Sequence, residues 1–148
     1  MSYQEKQAII SLIGTVLISA FYGVYIFQKY QADSVSPAND LSFWASALLI
    51  LILVMIVLKI MVYIAFSILN TIVTREEEPG FTDERDKLID LKATRNFYHV
   101  FMAGFVLSML ALAVGQPLFV MFTIIFLSIV VAGMILDISQ FYFYRRGV

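Results

Sequence analysis

Three ionisable side chains interrupt stretches that are otherwise apolar: Lys59, His99 and Asp137. An ammonium, an imidazole and a carboxylate at one depth can form a buried ion pair, or pass a proton along a relay tuned by the histidine. At 1.5 Å per residue from the far ends of their apolar runs, Lys59 lies about 26 Å in, Asp137 about 28 Å and His99 about 22 Å. Charges at such depth are costly unless paired or reaching toward headgroups. The spacing allows a Lys59–Asp137 pair with His99 nearby, or else a snorkelling Lys59, an Asp137 that caps or pairs structurally and a His99 at the headgroups. It places Ser11 of the first apolar run at a comparable level. All three lie toward an interface rather than at mid-bilayer, which favours a structural role over a relay.

Other chemistry is thinly represented. There is no G-x-S-x-G, no Walker loop and no H-E-x-x-H, and the chain has one histidine and no cysteine. Disulfides, thiolate metal sites and the common hydrolase and nucleotide sites are thereby set aside, and neither a catalytic residue nor a cofactor is expected. The acids Glu76, Glu77, Glu78, Asp83, Glu84 and Asp86 match neither an EF-hand loop nor a His-carboxylate site, so no metal is expected there. Small four-span multidrug exporters carry a membrane-embedded glutamate in the first helix, and this chain has none. Ser11, Thr15, Ser19 and Gly23 place a small residue at every fourth position of the first run. Such a stripe allows close helix approach, more often within a bundle than between the copies of a homodimer.

The elements that must position these groups follow from composition. Hydrophobic residues make up 61% of the 148, and the mean hydropathy is +0.87, beyond what a soluble domain of this size buries. Lipid is the missing solvent. Four spans are expected at about 7–27, 42–66, 97–114 and 118–141, in one domain covering 1–148. The second apolar run, Leu41 to Val73, would be about 50 Å long as a helix against a hydrocarbon core of about 30 Å, so it must tilt or continue past the membrane. Only Gly115, Gln116 and Pro117 separate the last two spans, which allows nothing but an antiparallel hairpin. Ser2 with Glu5 forms an S-x-x-E capping box that would start the first helix at the extreme N-terminus, and the first run is long for a cleaved signal peptide.

Lys6, Arg75, Arg85, Lys87, Lys92, Arg95, Arg145 and Arg146 fall on one side of these spans, and only Lys29 on the other. By the positive-inside rule both termini and the central block are cytoplasmic. Tyr25, Phe27, Tyr30, Phe43 and Trp44 are expected to ring the outer interface, and Phe97, Tyr98 and the run Phe141 to Tyr144 the inner one. The net charge of −1 points to no direct contact with nucleic acid.

Twelve of the 21 charged residues lie between Arg75 and Arg95, a loop expected to be partly helical. Glu76 to Gly80 is a breaker. After it, Thr82 is a good N-cap, with Asp83 and Glu84 in a first turn whose dipole favours anions. At 100° per residue, Asp83, Asp86 and Asp90 share one side with Lys87 and Thr94, opposite Arg85, Lys92, Arg95, Asn96 and His99. Leu88 and Leu91 fill one flank between them, Ile89 and Ala93 the other. Such a helix could dock a cytoplasmic partner or a second copy, with Asp83, Glu84, Arg85, Asp86, Lys92 and Arg95 as the contact surface. The plainer alternative is a solvated helix whose basic side meets lipid phosphates.

The opening MSYQEK, the TDERDKLIDLKA before the third span and the closing YRRG together resemble a family of small four-span prokaryotic membrane proteins of unknown function. Its hallmark, D-E-R-[D/E]-x-x-[I/L], reads here as Asp83, Glu84, Arg85, Asp86, the free positions Lys87 and Leu88, then Ile89. The resemblance implies sensing or regulation, because genes of that family are often seen beside helix-turn-helix regulators, and it implies no catalytic or ligand residues. The expectation is an all-α membrane protein: four transmembrane helices in an antiparallel bundle, both termini cytoplasmic, in a prokaryotic plasma (inner) membrane. Two functions fit it. One is a non-enzymatic regulatory or interaction protein that uses the charged helix to engage a cytoplasmic regulatory protein. The other is a small oligomeric transporter or channel that uses Lys59, His99 and Asp137.

Overall fold

The computed structural model describes residues 3–32, 40–74 and 84–146. They form four helices: α1 (Tyr3–Ala32), α2 (Leu41–Thr74), α3 (Glu84–Ala113) and α4 (Leu118–Arg146), with no strand among the described residues. Each is long and apolar enough to cross a membrane, and the chain is a multi-pass membrane protein. In hydrocarbon every backbone N–H and C=O must be satisfied within its own segment, which selects uninterrupted helices. Accordingly none of the four helices contains a proline. The helices overrun the expected spans, and α2 is one continuous rod of 34 residues, about 51 Å long. Both proposed N-terminal caps, Ser2 and Thr82, and the whole block 75–83 lie outside the described residues.

Local chemistry sets the helix ends that are described. Asp40 caps α2: its Oδ1 accepts from the Ser42 hydroxyl (2.7 Å) and the Ser42 and Phe43 amides (2.9 and 3.4 Å), and its carbonyl accepts from the Trp44 amide at 3.3 Å. The Ser42 hydroxyl, with help from the Phe43 and Ser42 amides, holds the Asp40 carboxyl below its usual range. A carboxyl lowered by folding stabilises the helix start above its unfolded pKa, and that contribution fades as pH falls through the folded value. Asp40→Ala should therefore speed amide exchange at Ser42 and Phe43 at neutral pH, after correction for intrinsic rates. Asp40→Asn keeps an acceptor, so exchange there should stay near wild type and lose its acid dependence.

The turn between α3 and α4 is a Schellman motif. Gln116 N–H reaches the Ala111 carbonyl and Gly115 N–H the Leu112 carbonyl, both at 3.0 Å. Gly115 has φ +83°, a left-handed conformation that a side chain would strain. Pro117, which has no N–H to leave unpaired, then starts the return.

α4 is the centre of the bundle. It packs along both α3 and α1, while α2 lies mainly on α1 and touches α4 only briefly. One end of the bundle carries the start of α1 and the end of α4 (the terminal end), and the other carries the two connections around Asp40 and Gly115 (the loop end). At the loop end Trp44, Met121 and Phe122 form a buried cluster. Trp44 stacks on Phe122 (centroids 6.1 Å apart, 18° between planes) and meets Tyr30, Phe43 and Phe119 at 5.7, 5.1 and 5.3 Å. This corrects the aromatic-belt expectation. Tyr25 and Phe27 face outward, but Trp44 is 6% exposed, because the phase of α2 turns it into the groove between α1 and α4. Tyr22 ties the same helices together, donating to the Ala47 carbonyl at 2.6 Å.

Candidate functional site: a buried ion pair and a charged helix face

The i, i+4 hydroxyls of α1 lie on the side that meets α4. There the Ser11 hydroxyl donates to Asp137 Oδ1 at 2.9 Å. The single proton of the Thr15 hydroxyl is shared between Asp137 Oδ2 (3.0 Å) and the Ser11 carbonyl (2.9 Å). From α2, Lys59 Nζ donates to Asp137 Oδ1 at 2.5 Å and to the Ser11 hydroxyl at 2.6 Å. Three helices are thus tied at one carboxylate. Asp137 is 1% exposed, and the Lys59 side chain 37%. The ammonium therefore reaches the acid from the edge of the bundle, with part of its stem outside. Among the described residues no buried side-chain nitrogen or oxygen lacks a partner. A carboxylate with three donors already in place is a lock on helix positions rather than an open acceptor.

His99 is not part of this cluster. It is exposed on α3 and sits edge-on to Tyr98 at 6.0 Å. α3 packs chiefly on α4 and touches α1 and α2 only marginally, so equal depth in the membrane does not bring the imidazole round to them. In its place stands Thr15, whose spacing in the sequence marks it only as part of the small-residue stripe. The stripe itself is used within the bundle: Thr15 and Ser19 are buried, Ser19 donates to the Thr15 carbonyl at 2.5 Å, and Gly23 faces the Phe126 ring.

The described part of the charged segment is the first turns of α3. Ile89 and Ala93 are fully buried against α4, so that flank is the packing face. The acidic row beside it is bonded to the end of α4: Gln140 donates to Asp90 at 3.0 Å, and Asp86 is hydrogen-bonded to Tyr144. On the other edge Asn96 donates to Ser139 at 3.0 Å, and Lys92 lies 5.7 Å above the Phe143 ring. Of the six proposed contact residues, Glu84, Arg85 and Arg95 are exposed, Asp86 and Lys92 lean on α4, and Asp83 lies outside the described residues. Leu88 and Leu91, 55% and 68% exposed, join Arg85 and Arg95 on the outward face. Polar pairing between α3 and α4 cannot be read without knowing which helices are neighbours, so nothing in the sequence singles out Gln140, Ser139 or Tyr144.

Among the described residues no group of three or more His, Cys, Asp or Glu is placed to hold a metal ion. No protein-family model, curated protein or solved structure matches this chain.

Proposed function

We propose that this chain is a non-enzymatic regulatory or interaction protein of a prokaryotic plasma membrane, with the terminal end in the cytoplasm and the outward face of α3 as its contact surface. The observation that carries this reading is the division of labour among the ionisable groups. Asp137 and Lys59 are consumed by each other and by Ser11 and Thr15. The acids Asp86 and Asp90 are consumed by α4. What is left outward on α3 is a face of Leu88 and Leu91 among the exposed Glu84, Arg85, Lys87 and Arg95, apolar and on balance basic. Such a face suits a cytoplasmic protein presenting acidic and apolar groups together. The basic-residue asymmetry of the chain supports the orientation.

A photo-crosslinking residue at Leu88 or Leu91, in native membranes, should give one discrete protein adduct, whereas the same probe at the lipid-facing Leu53 should not. The paired change Arg85→Glu and Arg95→Glu should reduce that adduct by about a hundredfold or more, since like charges placed opposite each other cost several kcal/mol. Lipid adducts alone at positions 88 and 91 would remove the reading. The transporter alternative is favoured by one observation, the partial exposure of Lys59 at span depth. Proton or cation flux in liposomes that vanishes in Lys59→Met would support that alternative and count against a purely structural pair.

A further inference from the structure

A cavity of about 200 Å³ lies between α1, α2 and α4 toward the loop end. Trp44, Ala47 and Phe122 form its buried back wall, and Gly23 and Phe126 its floor. Phe27 and Leu127, both more than half exposed, stand at its rim, so it opens sideways into the hydrocarbon layer. The volume exceeds the roughly 150 Å³ apolar cavity that holds a benzene ring, but falls short of the about 300–1,000 Å³ of a pocket that encloses a drug-sized ligand. It fits a slender apolar segment whose remainder stays outside. From Gly23 to Tyr30 the lining runs seven residues along α1, a depth of about 10 Å.

Beside the upper end of that lining, one residue before Tyr30, stands Lys29. Its side chain is exposed, its Nζ lies 5.8 Å from the Phe43 ring, and among the described residues it has no ion-pair partner. Among the described residues the acid at the same end, Asp40, is already held by Ser42 and Phe43, and Asp33 lies outside them. Such a cation, beside the upper end of an apolar slot that opens to lipid, is complementary to a single molecule: a phosphate-bearing lipid with one acyl chain turned inward.

We infer that the cleft between α1, α2 and α4 is a binding site for an anionic phospholipid, with an acyl chain against Trp44 and Phe122 and the headgroup phosphate on Lys29. The site lies at the opposite end of the bundle from the α3 face, so failure of partner capture there leaves it intact.

Native mass spectrometry of the full chain in dodecylmaltoside, with phosphatidylglycerol or phosphatidylcholine added, tests it. Wild type should retain phosphatidylglycerol about fivefold better, the effect of one surface cation on an anionic headgroup. Lys29→Glu touches no buried contact and should abolish that preference. Gly23→Leu should remove adducts of both lipids. A Cβ at position 23 meets Phe126 at an ordinary 3.6 Å, so the larger side chain can fill the slot, and an unchanged melting temperature would confirm that the bundle stands. Equal retention of the two lipids by wild type would overturn the assignment. So would undiminished phosphatidylglycerol binding in Lys29→Glu or in a folded Gly23→Leu protein.

Discussion

Asp137→Ala is expected to be the most damaging single side-chain deletion in the bundle, with a loss of about 3–5 kcal/mol, because it strands a charge that the fold has placed against its counter-ion. Lys59 would face an empty site at span depth, Ser11 would lose its acceptor, and Thr15 would keep only the Ser11 carbonyl. Asp137→Asn should fall between wild type and alanine, since the amide oxygen still accepts from the hydroxyls while the ammonium loses its partner. Ser11→Ala and Thr15→Val should cost far less, about 0.6 kcal/mol each, the average for an interhelical hydrogen bond in a membrane protein. The informative variant is the double change Lys59→Met with Asp137→Leu. Replacing a buried ion pair by apolar side chains of similar size is often neutral or stabilising, so this protein should melt within about 1 kcal/mol of wild type. Equilibrium unfolding in mixed micelles, run also on the single changes Lys59→Met and Asp137→Leu, gives all of these values. If the two single losses simply add in the double variant, the pair contributes no coupling and Asp137 is not a lock on the helices.

The common depth of Lys59 and Asp137 is legible in the sequence, and their pairing and its surroundings are not. Depth along a helix follows from residue count alone, so counting suffices to set Lys59, Asp137 and Ser11 at one level. Azimuth does not follow, because it depends on which helices are neighbours. His99 has the right depth and the wrong direction, since it is exposed on α3, a helix that packs chiefly on α4. Trp44 shows the same gap. Its position near a span end predicts an interfacial ring, yet the phase of α2 buries it among Tyr30, Phe119 and Phe122. The hairpin at Gly115 is legible because its chemistry is local: a left-handed glycine and a proline suffice to end one helix and begin the next. On α3 the helical wheel separates acids from bases around the helix, but cannot say that the Ile89 and Ala93 flank, rather than Leu88 and Leu91, is the buried one. Both flanks are apolar, and only the partner helix breaks the tie.

Gly104→Val should be the second large effect, and it acts on packing rather than charge. α3 and α4 approach closely where Gly104 faces Ser128, whose Cα lies 3.5 Å from where a Cβ on residue 104 would be. That Cβ would overlap the Ser128 side chain, both hydroxyl and Cβ. The hydroxyl could swing away, giving up its 2.6 Å bond to the Ile124 carbonyl, but the Ser128 Cβ moves only if its helix moves. Even Gly104→Ala must therefore push the hairpin apart, and valine adds two methyl groups to the same gap. Overpacking of this kind typically costs about 1–3 kcal/mol, and the valine variant should lie at or above the upper end. Ser128→Gly should restore much of the loss in Gly104→Ala and little of it in Gly104→Val, a contrast that separates a steric clash from a general intolerance of change at position 104. The displacement should also be felt toward the terminal end, where Asn96 meets Ser139 and Gln140 meets Asp90. Since the chain has no cysteine, a disulfide between Asn96→Cys and Ser139→Cys reports that register without background. Rapid oxidation in the parent and slow oxidation after Gly104→Val would show that the glycine sets the spacing on which the α3 face depends. Equal rates and equal melting would mean that α3 and α4 are held by the polar contacts at their terminal end, and that the close approach at Gly104 is a consequence rather than a cause.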